Sequence, residues 1–244
     1  MFVGREQELA SLEEFYAKDG IGMTVIYGRR RIGKSTLITE FVKDKKTVFY
    51  TATKIGKTRN LELFSKQVLD LFMPGIENIS FNSIEAVFDF IDKNIANDKI
   101  VLVIDELPYW AEKDDSLLSI LQKYIDTIWN DKNLKIILCG SALSFMENKV
   151  LSEKSPLFGR RDSQIKLEAF NYLDSAKFVP DYSNEDKAIC YRLPCSGPLH
   201  TASHEHSDLL RKLEAACLPA HLRSSAESVF PENDMVRSCC CILR

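Results

Sequence analysis

Hydrophobic positions along the chain follow two periods. Leu9, Leu12 and Tyr16 recur at helical spacing behind Glu6-Gln7-Glu8, predicting an amphipathic helix with one packed face. The β-branched run Met23–Tyr27 predicts a strand, and Ser35–Val42 a helix after a glycine-punctuated loop. Lys46–Thr51 reads as a second strand. Helices are expected over Asn60–Phe72, closed by Pro74-Gly75, and over Ser83–Asn94. Ile100–Ile104 is apolar at every position, as in a parallel strand covered on both faces. Leu117–Trp129 places Leu117, Leu118, Leu121, Tyr124, Ile125 and Ile128 on one helical side. Leu134–Cys139 is the next buried strand and Ser163–Leu167 a fifth. Strands alternating with helices in this way predict an α/β domain, helices on both sides of a mainly parallel sheet.

Composition narrows the class. The chain has 244 residues, of which 45% are hydrophobic and 27% charged, enough for a globular core and against wholesale disorder. A net charge of −3 gives no general attraction to nucleic acid or acidic lipid. No apolar run approaches the ~20 residues that span a bilayer. The start Met1-Phe2-Val3-Gly4-Arg5-Glu6 lacks the marks of a secretory signal, so a cytoplasmic location is expected and Asn78-Ile79-Ser80 carries no weight as a glycosylation site. Of the seven cysteines only Cys139 and Cys190 fall in the first 190 residues, which is not a disulfide framework.

Chemistry concentrates at the strand ends. Gly28-Arg29-Arg30-Arg31-Ile32-Gly33-Lys34-Ser35 fits G-x-x-x-x-G-K-[ST] between a strand and a helix, the Walker A phosphate loop. Its backbone N–H groups and the helix N-terminus, where Thr36 follows, suit a polyphosphate. Lys34 is placed to reach the β- and γ-phosphates and the Ser35 hydroxyl to ligate Mg²⁺. The apolar strand before Asp105-Glu106 has the Walker B form: Asp105 for the metal shell, Glu106 to orient or deprotonate the attacking water. Ser141, after the Leu134–Cys139 strand, is either a turn residue or a sensor of the γ-phosphate or the water. Arg160, in Gly159-Arg160-Arg161, reads equally as surface charge or as a cation for the γ-phosphate. The adjacent acids favour water as acceptor over a small-molecule kinase reaction. A nucleotide-binding regulatory module with negligible turnover remains the alternative to hydrolysis.

Phe2-Val3-Gly4-Arg5-Glu6, the Tyr27–Ser35 block, Val103-Ile104-Asp105-Glu106, Ile137-Leu138-Cys139-Gly140-Ser141 and Pro156–Arg161 together resemble the archaeal-type P-loop ATPases of the AAA-related, STAND-like branch, which also occur widely in bacteria. The agreement in order and spacing runs over about 190 residues. The resemblance implies a three-layer α/β/α P-loop NTPase with an additional strand between the P-loop and Walker B strands. It implies ATP and Mg²⁺ as ligands, Arg5 near the adenine, Ser141 as a sensor and Arg160 in a finger-like role. A protein partner or self-association belongs to the same expectation, without its identity. The implied organisation is an ATPase core over 1–168, the start of a helical lid over 169–191, and an atypical tail over 192–244.

The tail departs from the family pattern where composition also changes. Up to Cys190 there are 19 Lys, 7 Arg, 19 Ile and no His; beyond it come 1 Lys, 5 Arg, 1 Ile and all four His. A flexible tail, a metal site from Cys195, His200, His204 and His206, and a reading-frame change are the competing readings. The Cys/His spacing matches no strong ligand pattern, and the terminal Cys241-Ile242-Leu243-Arg244 ends in the wrong residue for prenylation. The coincidence of the two breaks favours the frame change and an incomplete C-terminal part.

Overall fold

The computed structural model describes residues 2–76, 79–95, 98–178, 180–184, 187 and 191. The chain divides into Arg5–Glu168 and a second unit, Met1–Gly4 with Ala169–Arg244. The expectations for Cys195, for His200, His204 and His206, and for the 192–244 tail lie outside the described residues.

In chain order the larger unit contains α1 (Glu6–Ala17), β1 (Gly22–Tyr27), α2 (Lys34–Val42), β2 (Thr47–Thr51), α3 (Lys57–Phe72) and α4 (Ile84–Ile95). It continues with β3 (Ile100–Asp105), α5 (Leu107–Ala111), α6 (Leu117–Lys123), β4 (Leu134–Gly140), α7 (Leu143–Phe145) and β5 (Ser163–Lys166). Helices α6 and α7 each widen into a π turn, Tyr124–Ile128 and Met146–Val150. The smaller unit holds α8 (Tyr172–Ala176), whose first turn is capped by Asn171 accepting from the Asp174 N–H at 2.9 Å.

All five strands are parallel, in the order β2-β3-β4-β1-β5. Strand β4 therefore stands between β1, which leads into the phosphate loop, and β3, which ends in Asp105. This is the additional-strand α/β arrangement that the family resemblance implied. Strands β1, β3 and β4 are buried at every position, in keeping with their largely apolar runs, and Thr24 of β1 and Lys135 of β4 are buried with them. The register pairs Tyr27 with Gly140 and Ile104 with Leu138, so the three strands finish at the same level. The loops that follow them must meet at one edge, the C-terminal edge where open α/β sheets bind ligands.

The helices seal the sheet with aromatic side chains. Phe64 of α3, Phe88 of α4, Trp110 of α5 and Trp129 are at most 1% exposed. Ring centroids lie 5.4 Å apart for Phe64–Trp110 and 5.0 Å for Phe88–Trp129, both edge-on, the geometry favoured by ring quadrupoles. Helix α1 buries Leu12 and Phe15, one residue off the Tyr16 expected from spacing. Among the described residues no helix is long and apolar enough to cross a membrane.

Candidate functional site

The phosphate loop leaves β1 at Gly28 and enters α2 at Lys34. Gly28 has φ +152°, and a Cβ there would lie 2.4 Å from the Leu167 carbonyl oxygen and 2.6 Å from Ile32 Cδ1. Only glycine fits between the two chain segments. Gly33 has φ +85° but faces open space, so it is required for backbone conformation alone. Arg31 also takes a left-handed conformation, φ +63°, unusual for a side-chain-bearing residue. Alternation of handedness in such a loop turns successive N–H groups inward into an anion-binding nest.

Lys34 is 6% exposed, and its ammonium donates to the carbonyls of Gly28 at 3.1 Å and Arg29 at 2.8 Å. The charge is thus stored against the loop's own acceptors. The Ser35 hydroxyl donates to Asp105 Oδ2 at 2.7 Å, across 70 residues of sequence. The second Asp105 oxygen accepts the Glu106 N–H at 2.9 Å. Asp105 is 3% exposed, and on the adjacent strand lies Cys139, fully buried as the sequence suggested. Burial pushes the Cys139 thiol well above its ordinary pKa, and the neighbouring Asp105 carboxylate adds to this by charge and by accepting its hydrogen bond.

Glu106 adopts a left-handed conformation, φ +50°, ψ +39°, as β3 turns into α5. A non-glycine residue held there stores strain, and such outliers concentrate at functional sites. The turn aims the Glu106 carboxylate at Ser141: Oε2 accepts from the Ser141 hydroxyl at 2.7 Å and from its N–H at 3.3 Å. Arg30 approaches the same hydroxyl, its Nε lying 3.4 Å from Ser141 Oγ, while its Nη2 donates to the Tyr109 hydroxyl. Arg30, Arg31, Gly33, Lys34, Ser35, Thr36 and Glu106 line one cavity of about 370 Å³.

Two further residues named from the sequence have well-defined partners. Arg5 is 7% exposed and donates to Glu8 and to the carbonyls of Ile32 and Glu168. It therefore ties α1 to the phosphate loop and to the end of β5. Arg160 forms a two-pronged pair with Asp126, 2.6 and 2.7 Å, and also donates to the carbonyls of Pro156 and Phe158. The hydrogen bond to Asp126 raises the Arg160 pKa, while the same contact lowers that of Asp126. Neither its hydrogen bonds nor its ion pair involve the phosphate loop. Tyr109 is the partner of Arg30 that sequence reasoning passed over, because a tyrosine after a Walker B motif carries no pattern of its own.

The donor set fits a hard divalent cation. Ser35 and Asp105 offer a hydroxyl and a carboxylate within one hydrogen-bond length, oxygens of the kind Mg²⁺ takes alongside phosphate oxygens and water. Two protein ligands are enough where a triphosphate completes the shell.

Comparison with known proteins agrees with this geometry. A family model described as an ATPase domain predominantly from Archaea matches residues 2–198. An uncharacterized protein of Methanocaldococcus jannaschii is 34% identical over 180 residues, covering 74% of this chain and 38% of that protein. The chain thus spans well under half of that relative's length. Among solved structures, the Walker-type ATPase of Pyrococcus abyssi superposes with TM-score 0.56 at 22% identity, over 76% of this chain and 61% of that one. The ORC2 protein of Aeropyrum pernix, solved as ADPNP–ADP complexes, gives TM-score 0.54 at 16% identity, over 72% and 50%. At these identities the two structures establish a shared fold.

Proposed function

The chain belongs to the family of ATPase domains found predominantly in Archaea, and from that premise we propose that it is a Mg²⁺-dependent ATP-hydrolysing switch. The observation that carries the reading is the 2.7 Å contact between Ser35 of the phosphate loop and Asp105 at the strand tip, beside a cavity that Lys34 and Glu106 also line.

Gly28–Ser35 and Thr36 cradle the phosphates with backbone N–H groups, and Lys34 exchanges the Gly28 and Arg29 carbonyls for β- and γ-phosphate oxygens. The ammonium then meets charged rather than neutral acceptors, and the added Coulomb attraction favours the exchange. Ser35 and Asp105 hold the cation, which when bound supplies charge neutralisation on the phosphate oxygens. Glu106 orients a water and takes its proton as the water oxygen bonds to the γ-phosphorus. The bond from that phosphorus to the bridging oxygen breaks, and ADP departs with the electron pair. Ser141 holds the Glu106 carboxylate. The arginine finger-like role belongs to Arg160 only if its pair with Asp126 opens. The reading includes a cytoplasmic setting, where ATP is available, and a protein partner or second copy that reads the nucleotide state.

One observation favours a binding module with little turnover. The Glu106 carboxylate is engaged twice by Ser141, and a carboxylate so held has less capacity to accept a proton from water. Phosphate release by the purified chain, compared with Glu106→Gln, separates the two. A fall of about 10²–10⁴-fold is expected for removal of a general base. Equal residual rates would establish the binding-only reading.

A further inference from the structure

Arg30 sits two residues into the phosphate loop, yet its side chain reaches residues that follow β3 and β4. Its Nη2 donates to the Tyr109 hydroxyl, and its Nε lies 3.4 Å from Ser141 Oγ. Tyr109 is on the first turn of α5, its N–H bonded to the Glu106 carbonyl at 3.0 Å. The ring of Tyr109 is also covered by the Lys54 ammonium, 5.0 Å from the centroid. The Ser141 hydroxyl that faces Arg30 is the one that donates to Glu106 at 2.7 Å. Guanidinium, hydroxyl and catalytic carboxylate therefore form a continuous contact from the phosphate loop to the strand tip.

We infer that Arg30 is the residue by which this site distinguishes a nucleoside triphosphate from a diphosphate, with Tyr109 as its resting anchor. The inference rests on the nucleotide-site reading above. The backbone nest and Lys34 serve the phosphates nearest the loop in either nucleotide. Arg30 and Glu106 line the same cavity, so a third phosphate placed for attack beside Glu106 would come within the reach of Arg30. At rest the Arg30 guanidinium has two neutral oxygen acceptors, a phenol and a serine hydroxyl, in an exposed setting. It carries five donors in a fixed fork, and a γ-phosphoryl group offers charged oxygens that match that fork. Arrival of the γ-phosphate draws Arg30 from Tyr109 and removes its contact with Ser141. A diphosphate leaves the Arg30–Tyr109 contact in place. The presence of the third phosphate is thereby reported to Ser141 and Glu106 and to α5, the element that bears Tyr109.

The test uses the full chain with Mg²⁺, titrating ADP and a non-hydrolysable ATP analogue against wild type, Arg30→Gln, Tyr109→Phe and Lys34→Ala. Thermal unfolding without nucleotide verifies that each variant is folded. Arg30→Gln is expected to weaken the analogue about 10- to 100-fold, the range of one charged hydrogen-bonding contact, with ADP changed less than about threefold. Tyr109→Phe is expected to tighten the analogue about two- to threefold, since the resting competitor is gone, and to leave ADP unaltered. Equal losses for both nucleotides in Arg30→Gln would overturn the inference, reducing Arg30 to general phosphate attraction. Unaltered analogue binding in Tyr109→Phe would remove the anchor. If Lys34→Ala binds both nucleotides like wild type, the nucleotide-site reading itself fails, a result distinct from either.

Discussion

Gly28 and Gly33 belong to one motif but should fail differently when each is replaced by alanine. At Gly28 the added Cβ would lie 2.4 Å from the Leu167 carbonyl oxygen, and that backbone cannot retreat, because the Leu167 N–H is bonded to the Tyr27 carbonyl at 2.8 Å. Left-handed backbone costs an alanine about 1–2 kcal/mol. Overpacking adds about 1–3 kcal/mol. The sum, about 2–5 kcal/mol, corresponds to a fall in Tm of about 5–15 °C for a domain of this size. At Gly33 the Cβ meets nothing within 4 Å, so only the backbone term of about 1–2 kcal/mol remains, or about 3–6 °C. Differential scanning calorimetry without nucleotide measures both. A Gly28→Ala variant that melts within about 1 °C of wild type, or below which Gly33→Ala falls, would refute the close approach of Leu167 to the loop.

Other consequences are smaller in scope. Asp126, its pKa lowered first by the Arg160 hydrogen bond, stabilises the fold above the ordinary aspartate pKa; the contribution fades as pH drops through the depressed value. Both side chains are about a third exposed, so Asp126→Asn should cost at most ~1 kcal/mol at pH 7 and nothing in strong acid, measured by urea unfolding at the two pH values. Arg160→Ala should leave ATP-analogue affinity of the isolated chain unaltered, since its partners lie away from the cavity; a tenfold loss in a binding titration would return it to the site. On the hydrolysis reading, where Ser141 positions the Glu106 carboxylate, Ser141→Ala should lower turnover at least tenfold with ADP affinity retained, read by steady-state phosphate release; a rise would show that the contact holds the base back, and unaltered turnover would remove it from the mechanism.

Strand β3 was legible because burial on both faces leaves no polar alternation before Asp105, and β4 because only Lys135 interrupts its apolar run, whereas β2 and β5 alternate in burial. Helices α3 and α4 were found to within about three residues at their ends, and α1 from its apolar face alone. Helix α3 starts at Lys57 rather than at Asn60, for Asn60 resembles a cap in sequence. In the fold it is buried inside the first turns, accepting from the Thr53 N–H and donating to the Thr53 and Gly56 carbonyls. Helix α5 escaped notice because five residues with Pro108 in the first turn show no period. The π turn at Tyr124–Ile128 keeps the apolar spacing of an ordinary helix, so hydrophobicity alone reads straight through it. Ser35 and Asp105 were anticipated as partners because their motif types imply a shared cation. The pairing of Arg160 with Asp126 across 34 residues, and the left-handed backbone at Arg31 and Glu106, have no local signature.

The central claim is that the glycine loop and the acidic strand tip hold one metal-bound triphosphate together. Its most direct measurement is ATP-analogue affinity with and without Mg²⁺, in wild type, Ser35→Ala and Asp105→Asn, each verified as folded. The account predicts that Mg²⁺ tightens binding strongly in wild type, and that this gain nearly vanishes in both variants while metal-free affinity stays close to normal. A full Mg²⁺ gain retained in Asp105→Asn would contradict it.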